Sequence, residues 1–283
     1  MNILKAILSW ILGLFGGEPK AIKVSGKLLF MPLFMPDSDG KTLSTWPYLS
    51  MPYGQQKRVR GRIKGMAKFV EQPAIALLLN PNNEAGHIWN EFPNVHKENL
   101  ATAAQALREL VEDGIAVFAT LYNDDPSGSM PRWWEIEKYP AAWSEINKAI
   151  GSYVTGYILS IETNERCESV GQLQHCIYLM SIAMPGVELY GTHLQWKAAG
   201  AGYRWCDKGS TPYNAQIILA ENSWQPQRGD AAGLAGVQRE YGEIARAVDM
   251  GKVVMHEYGL NMSGKVFQTQ RDWLRDQNVK GIG

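Results

Sequence analysis

The sequence predicts a (β/α)₈ barrel, and three observations carry that prediction. Eight short apolar runs alternate with longer stretches of helical spacing, a pattern that gives parallel strands joined by right-handed crossovers. The chain has 283 residues, and a barrel of this kind takes ~250. No G-x-G-x-x-G follows the first apolar run, so an open dinucleotide-binding sheet lacks its main support.

The elements follow in order. Lys27–Met35 (KLLFMPLFM) is the first predicted strand, and the basic stretch Gln55–Gln72 is helix-compatible. Ala74–Leu79 is continuously apolar, as expected of a strand buried on both faces. Glu98–Glu112 has helical spacing and Gly114 stops it. Ile115–Leu121 is the third strand, and Pro131–Ile150 a helix or helix pair rich in aromatics. Val154–Ile161 is the fourth strand, followed by a helix over Val170–Met184 that Pro185 and Gly186 close. Val187–Leu194 and Ala215–Ala220 are the fifth and sixth strands. Ala231–Met250 is a helix, Lys252–Met255 opens the seventh strand, Phe267–Asp276 is a helix, and Val279–Ile282 is the last strand. The barrel domain is therefore expected over residues 22–283.

Residues 1–17 form a separate segment. Within it, Ile3–Phe15 is apolar except for Lys5, Ser9 and Gly13, which line one narrow stripe of a helix. The run falls short of the ~20 residues that span a bilayer. It is read as a membrane-interface or partner-binding helix, as a signal peptide, or as a segment packed on the barrel. An exported or membrane-associated protein is the corresponding expectation. Gly16, Gly17 and Pro19 provide a hinge.

Composition removes several function classes. Lysine plus arginine equals aspartate plus glutamate at 28 each, so no net charge draws the chain to nucleic acid or to an anionic membrane. Cys167, Cys176 and Cys206 form no C-x-x-C pair, which leaves neither a disulfide framework nor a zinc site. No cofactor is implied. The ten tryptophans offer flat apolar faces on which sugar rings stack.

In barrels of this type the chemistry sits after the strands. There the sequence collects Asn82 after the second strand, Asp124 after the third, and Glu162 and Glu165 after the fourth. His193 and Trp196 follow the fifth strand, Glu221, Asn222 and Trp224 the sixth, and His256, Glu257 and Tyr258 end the seventh. Crowded carboxyl groups raise one another's pKa, which a general acid at neutral pH requires. Glycoside cleavage needs one carboxylic acid and one carboxylate facing each other across a sugar ring. Glu162 and Glu257 stand on strands that lie across a barrel mouth. Alternation puts Glu162 on the same side as Ser160, whereas Glu165 lies further on in the loop. A second chemistry, metal-dependent hydrolysis through Asp124, His193, Glu221 and His256, uses the same ring.

At these residues the sequence resembles the clan of retaining (β/α)₈ glycoside hydrolases with catalytic glutamates on strands four and seven, the cellulase- and mannanase-like families. The clan's fourth strand commonly reads G-Y-x-x-x-N-E. Gly156-Tyr157-Ile158-Leu159-Ser160-Ile161-Glu162 matches its spacing with Ile161 in the asparagine position, and Asn164-Glu165 supplies an N-E pair three residues later. The clan's seventh strand often ends in E-[FY]-G, and Glu257-Tyr258-Gly259 fits. The resemblance implies Glu257 as nucleophile and Glu162 as acid/base, with Glu165 the alternate. It implies a polysaccharide or cell-wall glycan as substrate, contacted by Asn82, Asp124, His193, Trp196, Glu221, Asn222, Trp224 and Tyr258. The clan usually adds a tryptophan platform after strand eight. Since this sequence stops at Gly283, the expectation is that another loop supplies the platform, through Trp196 or Trp224, or that the site has degenerated. The departure at Ile161 also keeps open a non-catalytic barrel that binds glycans or serves a larger assembly.

Overall fold

A computed structural model describes residues 19–24, 28–32, 34–36, 42–45, 47–68, 71–79, 95–122, 140–160, 170–187, 189–192, 195–196, 203–204, 215–217, 238, 245, 254–258 and 272–279. Strands β1 (Leu28–Pro32), β2 (Phe34–Pro36) and β3 (Thr42–Ser44) come first, then helix α1 (Tyr53–Gly65). Strand β4 (Ala74–Leu78), helix α2 (Lys97–Glu112), strand β5 (Ala116–Tyr122), helix α3 (Pro140–Ile150), strand β6 (Gly156–Ser160) and helix α4 (Val170–Ala183) alternate strictly. Strands β7 (Leu189–Thr192), β8 (Gln195–Trp196), β9 (Tyr203–Arg204), β10 (Ala215–Ile217) and β11 (Val254–Tyr258) complete the order.

Five strands form one sheet in the order β10-β7-β6-β5-β4, and every pairing in it is parallel. Strands β1 and β11 pair in parallel, with Phe30 opposite His256 and Met31 opposite Glu257. Strand β1 also packs against β4, and β10 against β11. Adjacency therefore runs from β1 through β4, β5, β6, β7, β10 and β11, in chain order, back to β1.

Along β4, β5 and β6 the described side chains alternate between two covered faces, as continuous apolar runs require. One face (Ile75, Leu77 and Leu79 of the β4 segment, Val117 and Ala119 of β5, Tyr157 of β6) joins a core with Leu107, Leu110, Trp143, Ile146 and Met180 from the helices. The opposite face carries Ala74, Ala76, Leu78, Ala116, Phe118, Thr120, Gly156 and Ile158, and it is buried as well. Phe118, fully buried, stands in register between Ala76 and Gly156. A bulky ring flanked by two small residues fills a layer without overpacking it.

Local sequence explains where the helices stop. Gly114 takes φ +78°, and the amides of Gly114 and Ile115 return to the carbonyls of Val111 and Leu110, so α2 ends in the paired bonds of a Schellman cap. Asn278 repeats the arrangement after the helical residues 272–276, at φ 59°, with Val279 bonding back to Leu274. Asparagine is the usual substitute for glycine there because its short side chain tolerates the left-handed region. At the start of α2, Nδ1 of His96 accepts the amide of Asn99 at 3.3 Å.

Three expectations need adjustment. The first predicted strand divides: β1 pairs with β11, whereas β2 turns away into an antiparallel pair with β3. Pro32 and Pro36 lack the amide proton that a central strand would donate, which suits the break. The seventh strand, expected to open over Lys252–Met255, covers Val254–Tyr258 and so includes Glu257 itself. The last predicted strand, Val279–Ile282, has only Val279 among the described residues, and Val279 belongs to no ladder there. The apolar segment Ile3–Phe15, Cys167 and Cys206 lie outside the described residues.

A charge network ties α1 to α2. The guanidinium of Arg60, 9% exposed, pairs with Glu109 and with Asp113 at 3.2 Å, and donates to the Tyr48 hydroxyl at 3.3 Å. Lys64 adds a bond to Asp113 at 2.9 Å. Burial disfavours the guanidinium's charge, but the Tyr48 hydroxyl and Glu109 more than offset it and hold its pKa above the ordinary value. Burial pushes the Tyr48 hydroxyl up to about 12 despite the neighbouring guanidinium.

Breaking such a pair from one side strands a carboxylate in a poorly hydrated place. Arg60→Ala should lower unfolding stability by about 2–4 kcal/mol in urea titration. The Tyr48 shift has a definite sign. Its folded pKa lies above the unfolded 10.0, so the stability it contributes is complete below pH 10 and lost as pH rises through 12. Stability should fall by about 2 kcal/mol across that window, and Tyr48→Phe should flatten the fall, as measured by urea titrations at successive pH values.

Candidate active site

Because all five sheet strands run the same way, their carboxyl ends share one edge. Strand β4 ends at Leu78, β5 at Tyr122, β6 at Ser160, β7 at Thr192 and β10 at Ile217. The segments that follow are those in which the sequence gathers its carboxylates, amides and tryptophans.

Four candidates fall on described strands. Glu257 and Tyr258 form the end of β11, opposite Met31 and Pro32 of β1. Trp196 belongs to the β8–β9 ribbon, an antiparallel pair that places it opposite Tyr203, shortly beyond the end of β7. His256, the residue considered as a metal ligand, sits opposite Phe30. Glu162, Glu165, Asn82, Asp124, His193, Glu221, Asn222 and Trp224 lie outside the described residues. Among the described residues no group of three or more histidine, cysteine, aspartate or glutamate side chains is placed to hold a metal ion.

The geometry adds two residues that sequence reasoning missed. Tyr203 joins Trp196 across the ribbon, and the signal for it was present: glycines 200 and 202 between two aromatic-containing runs are a hairpin pattern. Thr120 sits on the face of β5 away from the helices, 1% exposed, and its Oγ1 has no hydrogen-bond partner among the described residues. It stands in register with Ile158, one side-chain layer below the paired strand ends Tyr122 and Ser160. No sequence pattern distinguishes Thr120 from a packed β-branched residue.

The side chain of Tyr157 fixes which face of β6 is which. Its hydroxyl donates to Asn147 Oδ1 of α3 at 3.0 Å, and burial raises its pKa. Gly151, one turn beyond Asn147, has no room for a Cβ, which would overlap that asparagine, so a glycine is required for the helix end to close on this bond. Tyr157 therefore faces the helices, and Ile158 faces the side that carries Phe118 and Thr120.

A cleft of about 450 Å³ lies at the opposite edge of the sheet, lined by residues 21–24, Gly151, residues 154–157, Gly186 and Val187. Those residues precede or open β6 and β7, so this cleft is separate from the carboxyl-end site. In barrels the carboxyl ends of the strands carry the chemistry, and the other end contributes stability.

The sequence matches no family model and no curated protein. Solved structures share its architecture. A GH5_18 glycoside hydrolase from Bifidobacterium longum subsp. longum, in complex with Manb1-4GlcNAc, superposes with TM-score 0.52 at 10% identity, covering 78% of this chain and 56% of that one. An exo-beta-1,4-mannosidase from an Opitutaceae bacterium gives 0.54 at 14% identity, covering 86% and 50%. A GH5_18 enzyme from Streptomyces cattleya in complex with GlcNAc gives 0.51 at 12% identity, covering 78% and 58%. This chain thus spans about half to three fifths of their lengths. These neighbours are TIM-barrel glycoside hydrolases, and at such identities the likeness is one of fold.

The buried Thr120 hydroxyl gives a direct test of how the inner face is filled. A hydroxyl desolvated without a partner costs free energy that an isosteric methyl does not. Thr120→Val should leave stability unchanged or raise it by about 1 kcal/mol, measured by thermal melting. A drop of that size would show that Oγ1 has a partner.

Proposed function

We propose that the strands close into a (β/α)₈ barrel and that this barrel cleaves a glycan with retention of configuration, Glu257 attacking and Glu162 serving as acid/base. The order of strands is the observation that supports this reading best. In the ring of adjacency β6 is the fourth strand and β11 the seventh, and Glu257 stands on β11. Were the alternation of Ile158 to continue to residue 162, Glu162 would take the side away from α3. Glu165 is the alternate acid/base, as the Asn164-Glu165 pair suggests.

The chemistry follows from the roles. The carboxylate of Glu257 attacks the anomeric carbon while the carboxylic acid of Glu162 protonates the departing oxygen. A glycosyl-enzyme ester forms, and Glu162, now a base, takes a proton from the water that cleaves it. Retention requires the two carboxyl groups to lie roughly 5 Å apart, and about 8 Å would give inversion. Asn82, Asp124, His193, Glu221, Asn222 and Tyr258 would bind sugar hydroxyls, with Trp196 and Trp224 as stacking faces. The neighbours' mannosyl ligands and mannosidase activity make β-mannosides the first substrates to test.

Glu257→Gln should abolish turnover of a chromogenic glycoside panel, a loss of about 10³-fold or more, while glycan binding persists. Glu162→Ala should slow turnover by about 10²-fold or more and be partly rescued by azide, which needs no general base. A fully active Glu162→Ala beside a dead Glu165→Ala would move the acid/base to Glu165. Glycan binding without turnover in the unaltered chain would favour the non-catalytic barrel, for which Ile161 in the asparagine position is the supporting departure.

A further inference from the structure

We infer that the amino-end edge of the sheet is a docking surface for an anionic bilayer, with the carboxyl-end site facing away from the lipid. The inference is independent of the glycosidase reading.

The edge is defined by what lies before the strands. Residues 19–24 run across it: the amide of Ala21 bonds the carbonyl of Ser152, and Ile22 and Val24 line the cleft beneath β6 and β7. Phe15 is four residues from Pro19, so the apolar run Ile3–Phe15 cannot end more than ~14 Å from this edge.

The surface around the tether has matching character. The carboxyl ends of α1, α2, α3 and α4 all reach this edge because each helix leads into the start of a strand. Tyr178 and Ile182, one turn apart at the end of α4, are 60% and 59% exposed. Lys20, Lys23, Lys148 and, past α1, Lys68 are exposed on the same edge. The acidic residues that end α2 are engaged: Glu109 and Asp113 hold Arg60 and Lys64, and Glu112 holds Arg108. Glu71, before β4, has its own contact. Two exposed apolar side chains with exposed lysines on the same edge complement a bilayer with anionic headgroups locally, although the net charge of the chain is zero. A short apolar segment alone binds a membrane only marginally, and a basic patch is the second contribution that makes binding stable.

Cosedimentation of the full chain with phosphatidylcholine vesicles, with and without phosphatidylglycerol, tests this. Binding should need the anionic lipid and weaken with salt. Each lysine near the surface is worth about 5-fold, so Lys20→Gln, Lys23→Gln and Lys148→Gln together should weaken binding on the order of 100-fold. Ile182→Asp should weaken it too. Lys97→Gln, at the far end of α2, should change nothing. Failure of the full chain to bind anionic vesicles, equal binding to neutral ones, or undiminished binding by the triple variant would each overturn the inference. None of these outcomes bears on glycoside turnover.

Discussion

The parallel sheet must be covered on both faces, and most of the architecture follows from that requirement. A parallel ladder built from continuous apolar strands has no side that tolerates water. On one side α2, α3 and α4 supply the cover, with Trp143 and Ile146 buried in the shared core. The other side is buried as well, with Phe118 in register between Ala76 and Gly156. There a bulky ring is flanked by two small residues, which avoids overpacking at that level. The same demand accounts for the contacts of β1 with β4 and of β10 with β11, which leave neither side of the five-stranded sheet bare.

Parallel strands also divide the molecule's labour between two edges. The amino-end edge carries helix caps, the Arg60 network, and the Tyr157–Asn147 bond made possible by Gly151. These interactions are satisfied within the protein and hold helices at fixed positions over the strands. Glu257 and Tyr258 end β11, and the Trp196 ribbon follows β7 in the chain. A buried charge network is weak evidence for stability in general. Here it fixes the relation of α1 to α2, and through them the alignment of β4 with β5.

Several features could be read directly from residues because their causes are local. Periodicity located α2 and α4 within a residue or so of their observed limits. Gly114 marked the end of α2 because only a residue tolerant of positive φ completes a Schellman cap. Continuous apolarity marked β4 as a strand buried on both sides. Glu257 stood out as a candidate from its place at a strand end, and β11 carries it.

Other features depend on groups that are distant in the chain. Nothing near Arg60 indicates that Glu109 and Asp113, on another helix, will neutralise it, and the basic stretch around it read only as helix-compatible. Nothing near Thr120 separates it from any packed threonine; its burial on the inner face comes from β4 and β6 on either side. The split of the first apolar run into β1 and β2 is decided by their partners, β11 and β3, which lie far apart in sequence. Sequence by itself determined the strand–helix alternation, the helix ends and the candidate carboxylates, because periodicity, caps and residue type act over a few neighbours. Tertiary structure alone decided which strands are adjacent, which face of β6 is inward and which charges are paired, because each is an interaction between residues that only the fold brings together.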